Sequence, residues 1–307
     1  MKNLITRHIV GTAALVATGL LASCATPSAR SVETTVAKVL ISTDQENQIG
    51  LQLKNDLDQK QKIVYMADAE VVAYVRGIAD KILQFGKVDR PDIQWQVFVI
   101  DDAKTVNAFA TPGGYLYVYR GLLQTAVNEA ELAGVMAHEA GHVVARHAAR
   151  SMVAAYGLEA VAGLATGSNP GLLEQLTAGI AAKGLLLSHT RADETEADEY
   201  GARYASKAGY DPHGLVTLFE KFKAKEGNTP GVLAYLSDHP ATQDRIDHLN
   251  SYMTEQGLNG TDLGAAAYGR IRKRLDTLPT ATSTAGAPPA VASPPKAAPP
   301  VAAPPSL

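Results

Sequence analysis

The sequence predicts an α+β fold, dominated by helices, with a small sheet whose edge strand lies beside one central helix. Three observations point there. Apolar residues recur at helical spacing through most of the chain. Only residues 93–100 and 115–119 alternate with the period of two that a strand requires. Turn signals, Arg90-Pro91 and Pro112-Gly113-Gly114, bracket those two stretches. With 307 residues, 46% hydrophobic and 19% charged, most of the chain can bury an ordinary core. A net charge of −3 lacks the basic footprint of a nucleic-acid binder, so no nucleic-acid partner is expected. The single cysteine excludes a disulfide framework and a Cys-based zinc ribbon, leaving His, Asp and Glu as metal donors.

The elements follow in order. Residues 45–84 carry apolar helical spacing (Val71, Val75, Ile78, Ile82), ended by Gly86 and Arg90-Pro91. Ile93, Trp95, Val97 and Val99 alternate with Gln94 and Gln96, as in a half-buried strand. Tyr115–Tyr119 forms a second strand with its aromatics on one face. Asn128 caps a helix with Glu131 three residues on, and the pattern runs to about Arg150. Helices are then expected over 151–165, 171–187, 191–208, 212–225 (Asp211 as cap, Pro212 first) and 241–256.

The two ends differ from this core. Met1-Lys2 … Arg7, an apolar run from Ile9 to Ala22, and Leu21-Ala22-Ser23-Cys24 read as a secretory signal whose end resembles a bacterial lipobox. Residues 1–23 are then removed and Cys24 is lipidated, which explains the lone cysteine. The acyl chains would anchor the protein in the membrane through a flexible tether, residues 24–44. Ala25 after the cysteine favours the outer membrane, facing the periplasm. The domain is expected over 45–277. Residues 278–307 form a Pro/Ala-rich tail: from Pro279 onward nine of 29 residues are Pro, and none is aromatic.

The chemistry is concentrated in His138-Glu139-Ala140-Gly141-His142. Histidines at i and i+4 project from one helix face, as two ligands of a tetrahedral zinc require, and Glu139 stands beside that face to deprotonate a metal-held water. Random order would produce about 0.01 such matches in this composition. Leu132, Val135, Met136, Val143 and Val144 make the stretch apolar, and buried His and Glu without a partner are costly. A third ligand is needed. In Arg191–Tyr200 both Asp193 and Glu194 lie within about 55° of the apolar stripe, whereas Glu196 and Glu199 face solvent. Periodicity does not choose between Asp193 and Glu194.

These residues resemble the HtpX-like and prenyl-protein-protease-like zinc metallopeptidases, of the gluzincin type, and particularly their bacterial periplasmic lipoprotein members. The resemblance covers about residues 45–250 and rests on three motifs in order: Val106-Asn107-Ala108-Phe109-Ala110-Thr111-Pro112-Gly113-Gly114, His138–His142, and Glu194-Thr195-Glu196-Ala197-Asp198. It implies a zincin-like core and one zinc ion held by His138, His142 and Glu194, with Asp198 one turn along as a second-sphere or proton-donor residue. Asp238-His239-Pro240 with Arg245 resembles the late His-Pro…Arg element. His239 is expected to approach the open side of the metal, either to stabilise the oxyanion or to coordinate and close the site. Arg245 is expected to pair with an acid of the 191–199 helix. In place of the helical-repeat domain of some periplasmic members stands the Pro/Ala tail.

Val106 to Ala110 is read as an edge strand on which Asn107, Ala108 and Phe109 bind substrate backbone as an added strand. His147, turned about 140° from His142 on a continuous helix, is read as a non-ligand. The expected activity is that of a zinc-dependent endopeptidase with Glu139 as general base, Asp198 and His239 assisting, and polypeptides as substrates. Misfolded or misassembled envelope proteins are the expected targets and the outer-membrane assembly machinery the expected partner. The alternative is an envelope chaperone or assembly lipoprotein with a structural or latent zinc site. An intramembrane protease is disfavoured, because Glu174, Gln175 and Lys183 interrupt the apolar stretches.

Overall fold

The structure, a computed structural model, describes residues 41–61, 63–183, 189–225, 239–240 and 242–279. Cys24, the leader, most of the tether and nearly all of the Pro/Ala tail lie outside the described residues, as does Asp238.

Helix α1 (Thr43–Gln59) begins at a capping box in which Ser42 and Gln45 exchange side-chain and backbone hydrogen bonds. Helix α2 (Ala69–Asp89) is capped by Asp68, which accepts from the Val71 N–H. The expected single run over 45–84 is therefore two helices. Between them the chain lies extended against strand β1 (Gln96–Ile100): the Met66 N–H donates to Val99 O at 2.9 Å and the Asp101 N–H to Val64 O at 2.8 Å. The unpaired backbone of β1 recruits this segment, and satisfying it overrides local helix propensity.

Strands β2 (Ala108–Thr111) and β3 (Tyr115–Tyr119) complete a sheet of order β1-β3-β2. β1 runs parallel to β3, with Val99 opposite Val118; β2 runs antiparallel to it, with Phe109 opposite Tyr117. Gly113 and Gly114 take φ of +80° and +85° in the connecting turn, which glycine alone adopts without strain. β1 is buried on both faces, not half-buried as its alternation suggests. Val97 and Val99 join the main core with Leu116 and Val118, while Phe98 and Ile100 pack with Tyr65, Phe109, Tyr117, Leu57 and Ile180 on the other face.

After α3 (Arg120–Thr125) comes α4 (Glu129–Val144), every residue of which is buried. Asn128 accepts from the Glu131 N–H, and the Glu131 carboxylate takes the Val127 N–H at 3.0 Å. The helix does not run to Arg150. It ends at Val144, and Arg146 adopts the left-handed region at φ 61°. Arg146 is held there by Glu46, 3.0 Å from its Nε, a side chain only 1% exposed that also faces Arg90 at 3.1 Å. The chain then turns into α5 (His147–Tyr156), α6 (Leu158–Ala165) and α7 (Pro170–Lys183), which pack beside α1.

Helix α8 (Arg191–Lys207) lies along α4, the most extensive pairing of elements. Glycines permit it: a Cβ on Gly141 would stand 2.7 Å from the Tyr200 Cβ, and one on Gly201 3.3 Å from the His138 N. α9 (Gly214–Lys225) starts two residues later than its Asp211-Pro212 signal, because Asp211 is spent on a turn to His213 and Gly214. α10 (Gln243–Glu255), capped by Thr242, and α11 (Ala265–Thr277) close the fold. α11 is not among the expected elements. Its buried Tyr268, Ile271 and Leu275 carry the helical period, and buried Arg120 seals its end by donating to Leu275 O at 2.6 Å and Leu278 O at 2.8 Å.

Candidate metal centre

His138, Glu139 and His142 come from α4, Glu194 and Asp198 from α8, His239 from the segment before α10, and Arg245 from α10. All seven are buried. The capping box at the start of α8 settles which acid faces inward. Asp193 is spent on Thr190, whose N–H and hydroxyl it accepts at 3.0 and 2.7 Å, and on Arg150 at 2.7 Å. Glu194, the next residue round the helix, is thereby aimed at the histidines.

His138 Nε2 stands 3.0 Å from His142 Nε2 and 3.2 Å from His239 Nδ1. Glu194 Oε2 is 3.6 Å from His138 Nε2, and Oε1 is 3.5 Å from His142 Nε2. His239 Nδ1 lies 3.0 Å from Glu194 Oε2. These four side chains form one buried donor set. A tetrahedral zinc with bonds of 2.0–2.1 Å has ligand-to-ligand edges of about 3.3 Å, so the observed separations fit that ion. The nitrogens argue the same way. His138 Nε2 faces two other ring nitrogens at once, and one hydrogen cannot bridge both, whereas a cation accepts all three lone pairs.

The electrostatics follow from burial and neighbours. Burial opposes charging of His138, but the Asp198 and Glu194 carboxylates outweigh it and push its pKa up to about 9. Burial would raise Glu194, yet His239 and His138 hold its carboxyl well below the usual range. Burial and four neighbouring imidazoles keep His142 neutral, the protonation state of a metal ligand. Burial also opposes charging of His239, and there Glu194 and Glu139 prevail. Glu139 Oε1 lies 3.4 Å from His239 Nε2, beside the donor set and outside it.

The supporting groups are equally specific. Asp198 Oδ1 lies 2.9 Å from His138 Nδ1, the nitrogen turned away from the cluster. Arg245 grips Asp198 and reaches Glu194 and the Pro240 carbonyl, each at 2.9 Å. Glu199 faces outward onto His248, but Glu196 does not simply face solvent: its carboxylate meets His147 Nε2 at 3.2 Å. Asn107, Ala108 and Phe109 lie at the edge of the sheet in or next to β2, which packs on α4, but none belongs to the donor set. A cavity of 340 Å³, lined by His189, Arg191, Glu194, Pro240, Thr242 and Arg245, opens beside Glu194.

His189 escaped the sequence reading, and His147, read as a non-ligand, stays outside the four-residue donor set but makes a contact that reading did not foresee. His189 stacks on His142 with ring centroids 4.0 Å apart. It immediately precedes the Thr190–Asp193 capping box, the one local signal that could have placed it. His147 returns to His142, Nδ1 to Nδ1 at 2.8 Å, because the break at Arg146 cancels the 140° rotation of a continuous helix. No local signal announces a left-handed arginine.

Residues 69–253 match peptidase family M48. The chain is 36% identical over 182 residues to the mitochondrial metalloendopeptidase OMA1 of Schizosaccharomyces pombe, covering 59% of this chain and 53% of that protein. It is 31% identical over 222 residues to the metalloprotease LoiP of Escherichia coli K12, covering 71% and 84%. To the beta-barrel assembly-enhancing protease of the same organism it is 31% identical over 162 residues, covering 48% and 32%. The chain thus spans about half the length of the first and a third of the last. With both the matched region and the donor set inside one core, this chain belongs to peptidase family M48.

Proposed function

We propose that this protein is a zinc-dependent endopeptidase of the bacterial cell envelope that removes misfolded or misassembled envelope proteins. The observation that carries the reading is the convergence of His138, His142 and Glu194 from two helices, with Glu139 beside them but outside the donor set. A purely structural site has no use for that extra buried carboxylate, which weighs against a chaperone whose zinc is only structural.

A zinc ion held there supplies a Lewis acid that polarises the scissile carbonyl and lowers the pKa of water toward neutrality. Glu139 takes the proton of the attacking water and passes it to the leaving amine. Asp198 accepts the His138 Nδ1–H and so keeps Nε2 aimed at the metal. The outer edge of β2, from Asn107 to Phe109, takes substrate backbone as a further strand, a mode indifferent to side chains. His239 Nδ1 lies beside the other three donors; as a metal ligand it would close the site and have to withdraw for substrate, and as a free imidazole it would donate to the oxyanion.

Lipidation at Cys24 and an outer-membrane address facing the periplasm complete the proposal, as for the envelope lipoprotein members the sequence resembles. Among the described residues no helix is long and apolar enough to cross a membrane. The name of the beta-barrel assembly-enhancing protease suggests outer-membrane proteins and their assembly machinery as substrates and partner. The test is Glu139→Gln. It is expected to keep zinc and fold while casein cleavage falls about 10²–10⁴-fold. Cleavage at the wild-type rate would end the general-base assignment, and rescue of outer-membrane assembly by both proteins alike would favour the chaperone.

A further inference from the structure

His147 takes no part in the reaction described above, yet it is fully buried against one of the metal donors. His142 has two ring nitrogens with different surroundings. Nε2 faces His138 Nε2 and Glu194, and so is the metal-facing atom. Nδ1 points away, to His147 Nδ1 at 2.8 Å. On the far side of the His147 ring, Nε2 lies 3.2 Å from Glu196 Oε2 and 3.6 Å from Asp193 Oδ1. Arg150 stands behind both acids, 2.7 Å from Asp193 and 3.6 Å from Glu196.

The hydrogens can be counted along this line. A histidine that offers Nε2 to a metal carries its hydrogen on Nδ1 and must donate it. His147 Nδ1 is the acceptor within reach, so that nitrogen is bare and His147 carries its own hydrogen on Nε2. That hydrogen goes to Glu196. Each link holds one hydrogen and both rings are neutral.

The second donor has the same design with one member fewer. His138 Nδ1 meets Asp198 directly, and Arg245 stands behind Asp198. Both arms thus end in a carboxylate backed by an arginine. A second cation among His147, Asp193 and Glu196 is the competing reading. It fails because the Arg150 guanidinium already supplies the positive charge there and Asp193 is committed to the α8 cap.

We propose that His147 is a positioning residue: it fixes the tautomer and ring orientation of His142 and relays them to Glu196, thereby setting the affinity for the metal ion. The inference rests on the metal-centre reading above. The left-handed turn at Arg146 is what makes the contact possible, since a continuous helix would carry His147 to another face.

The experiment measures zinc affinity of the full chain, stripped and then titrated in competition with a chromophoric chelator. His147→Leu is expected to bind zinc about 10–100-fold more weakly, the usual effect of losing such a partner. His147→Asn, whose Oδ1 can replace Nδ1 as acceptor, is expected to recover most of that loss. Glu196→Gln, a half-exposed position that leaves the core intact, is expected to lose a few-fold. Wild-type affinity in His147→Leu, or a His147→Asn no better than His147→Leu, overturns the proposal. Should His147→Leu fail to fold, Glu196→Gln decides, and an unchanged affinity there overturns it. Wild-type protein that takes up no zinc sinks the metal centre itself, a result distinct from all of these.

Discussion

Arg245 grips Asp198 with two prongs, Nε to Oδ2 at 2.8 Å and Nη2 to Oδ1 at 2.7 Å, while Nη1 stands 2.9 Å from Glu194 Oε2. One guanidinium therefore compensates two buried carboxylates beneath the histidine cluster, and its plane also lies over the Phe219 ring. A lysine carries the charge but cannot span both acids. Arg245→Met, which strands both carboxylates, is expected to lose about 3–5 kcal/mol, and Arg245→Lys, which keeps the charge but not the fork, is expected to lose less. Denaturant unfolding with and without zinc measures both, and wild-type stability in Arg245→Met would remove Arg245 from this role.

Glu194 and Glu196 lie two positions apart but differ in what they face. Glu194→Ala is expected to lose zinc during purification. Glu196→Ala is expected to retain stoichiometric zinc, though a chelator strips it faster. Metal analysis in the reverse order would reassign the ligand.

His239 closes the donor set with Nδ1 while its Nε2 faces Glu139. If it blocks the fourth vertex, His239→Ala is expected to raise casein cleavage several-fold at unchanged zinc content. A fall in turnover with KM unchanged would instead make His239 an oxyanion donor.

Asp92 ties the start of α1 to the core through Arg90 and Thr43. The Arg90 hydrogen bond, against a smaller effect of burial, depresses its pKa from 3.8 to about 2. A folded pKa below the unfolded one means that the stabilisation is complete above about pH 4 and is lost as pH falls through about 2. The side chain is 35% exposed, so solvent screening keeps the contribution under about 1 kcal/mol. Asp92→Asn is expected to be slightly less stable at pH 7 and to show a flatter stability profile between pH 4 and 2. Parallel profiles for the two proteins would assign the acid sensitivity elsewhere.

Part of this site was legible in one dimension. His138 and His142 share a helix face because four residues are close to one turn, and that relation needs no fold. The strands at 96–100 and 115–119 were legible from alternation. The split of 45–84 into two helices was not, because the pull comes from the β1 edge, distant in sequence. Nor was α11 read as an element, although Tyr268, Ile271 and Leu275 carry its period.

By itself, the sequence determined the helix that bears two imidazoles and a carboxylate, the hairpin beside it, and an acidic helix downstream, since each depends on spacing within a few residues. Only the tertiary structure turned Glu194, which the family resemblance had favoured over Asp193, onto the histidines, brought His239 beside them and folded His147 back onto His142. Those outcomes depend on a cap, a loop and a left-handed arginine held by Glu46, a hundred residues away. Helical period governs which side chains share a face; which face meets which is settled when buried charges and backbone groups find their partners.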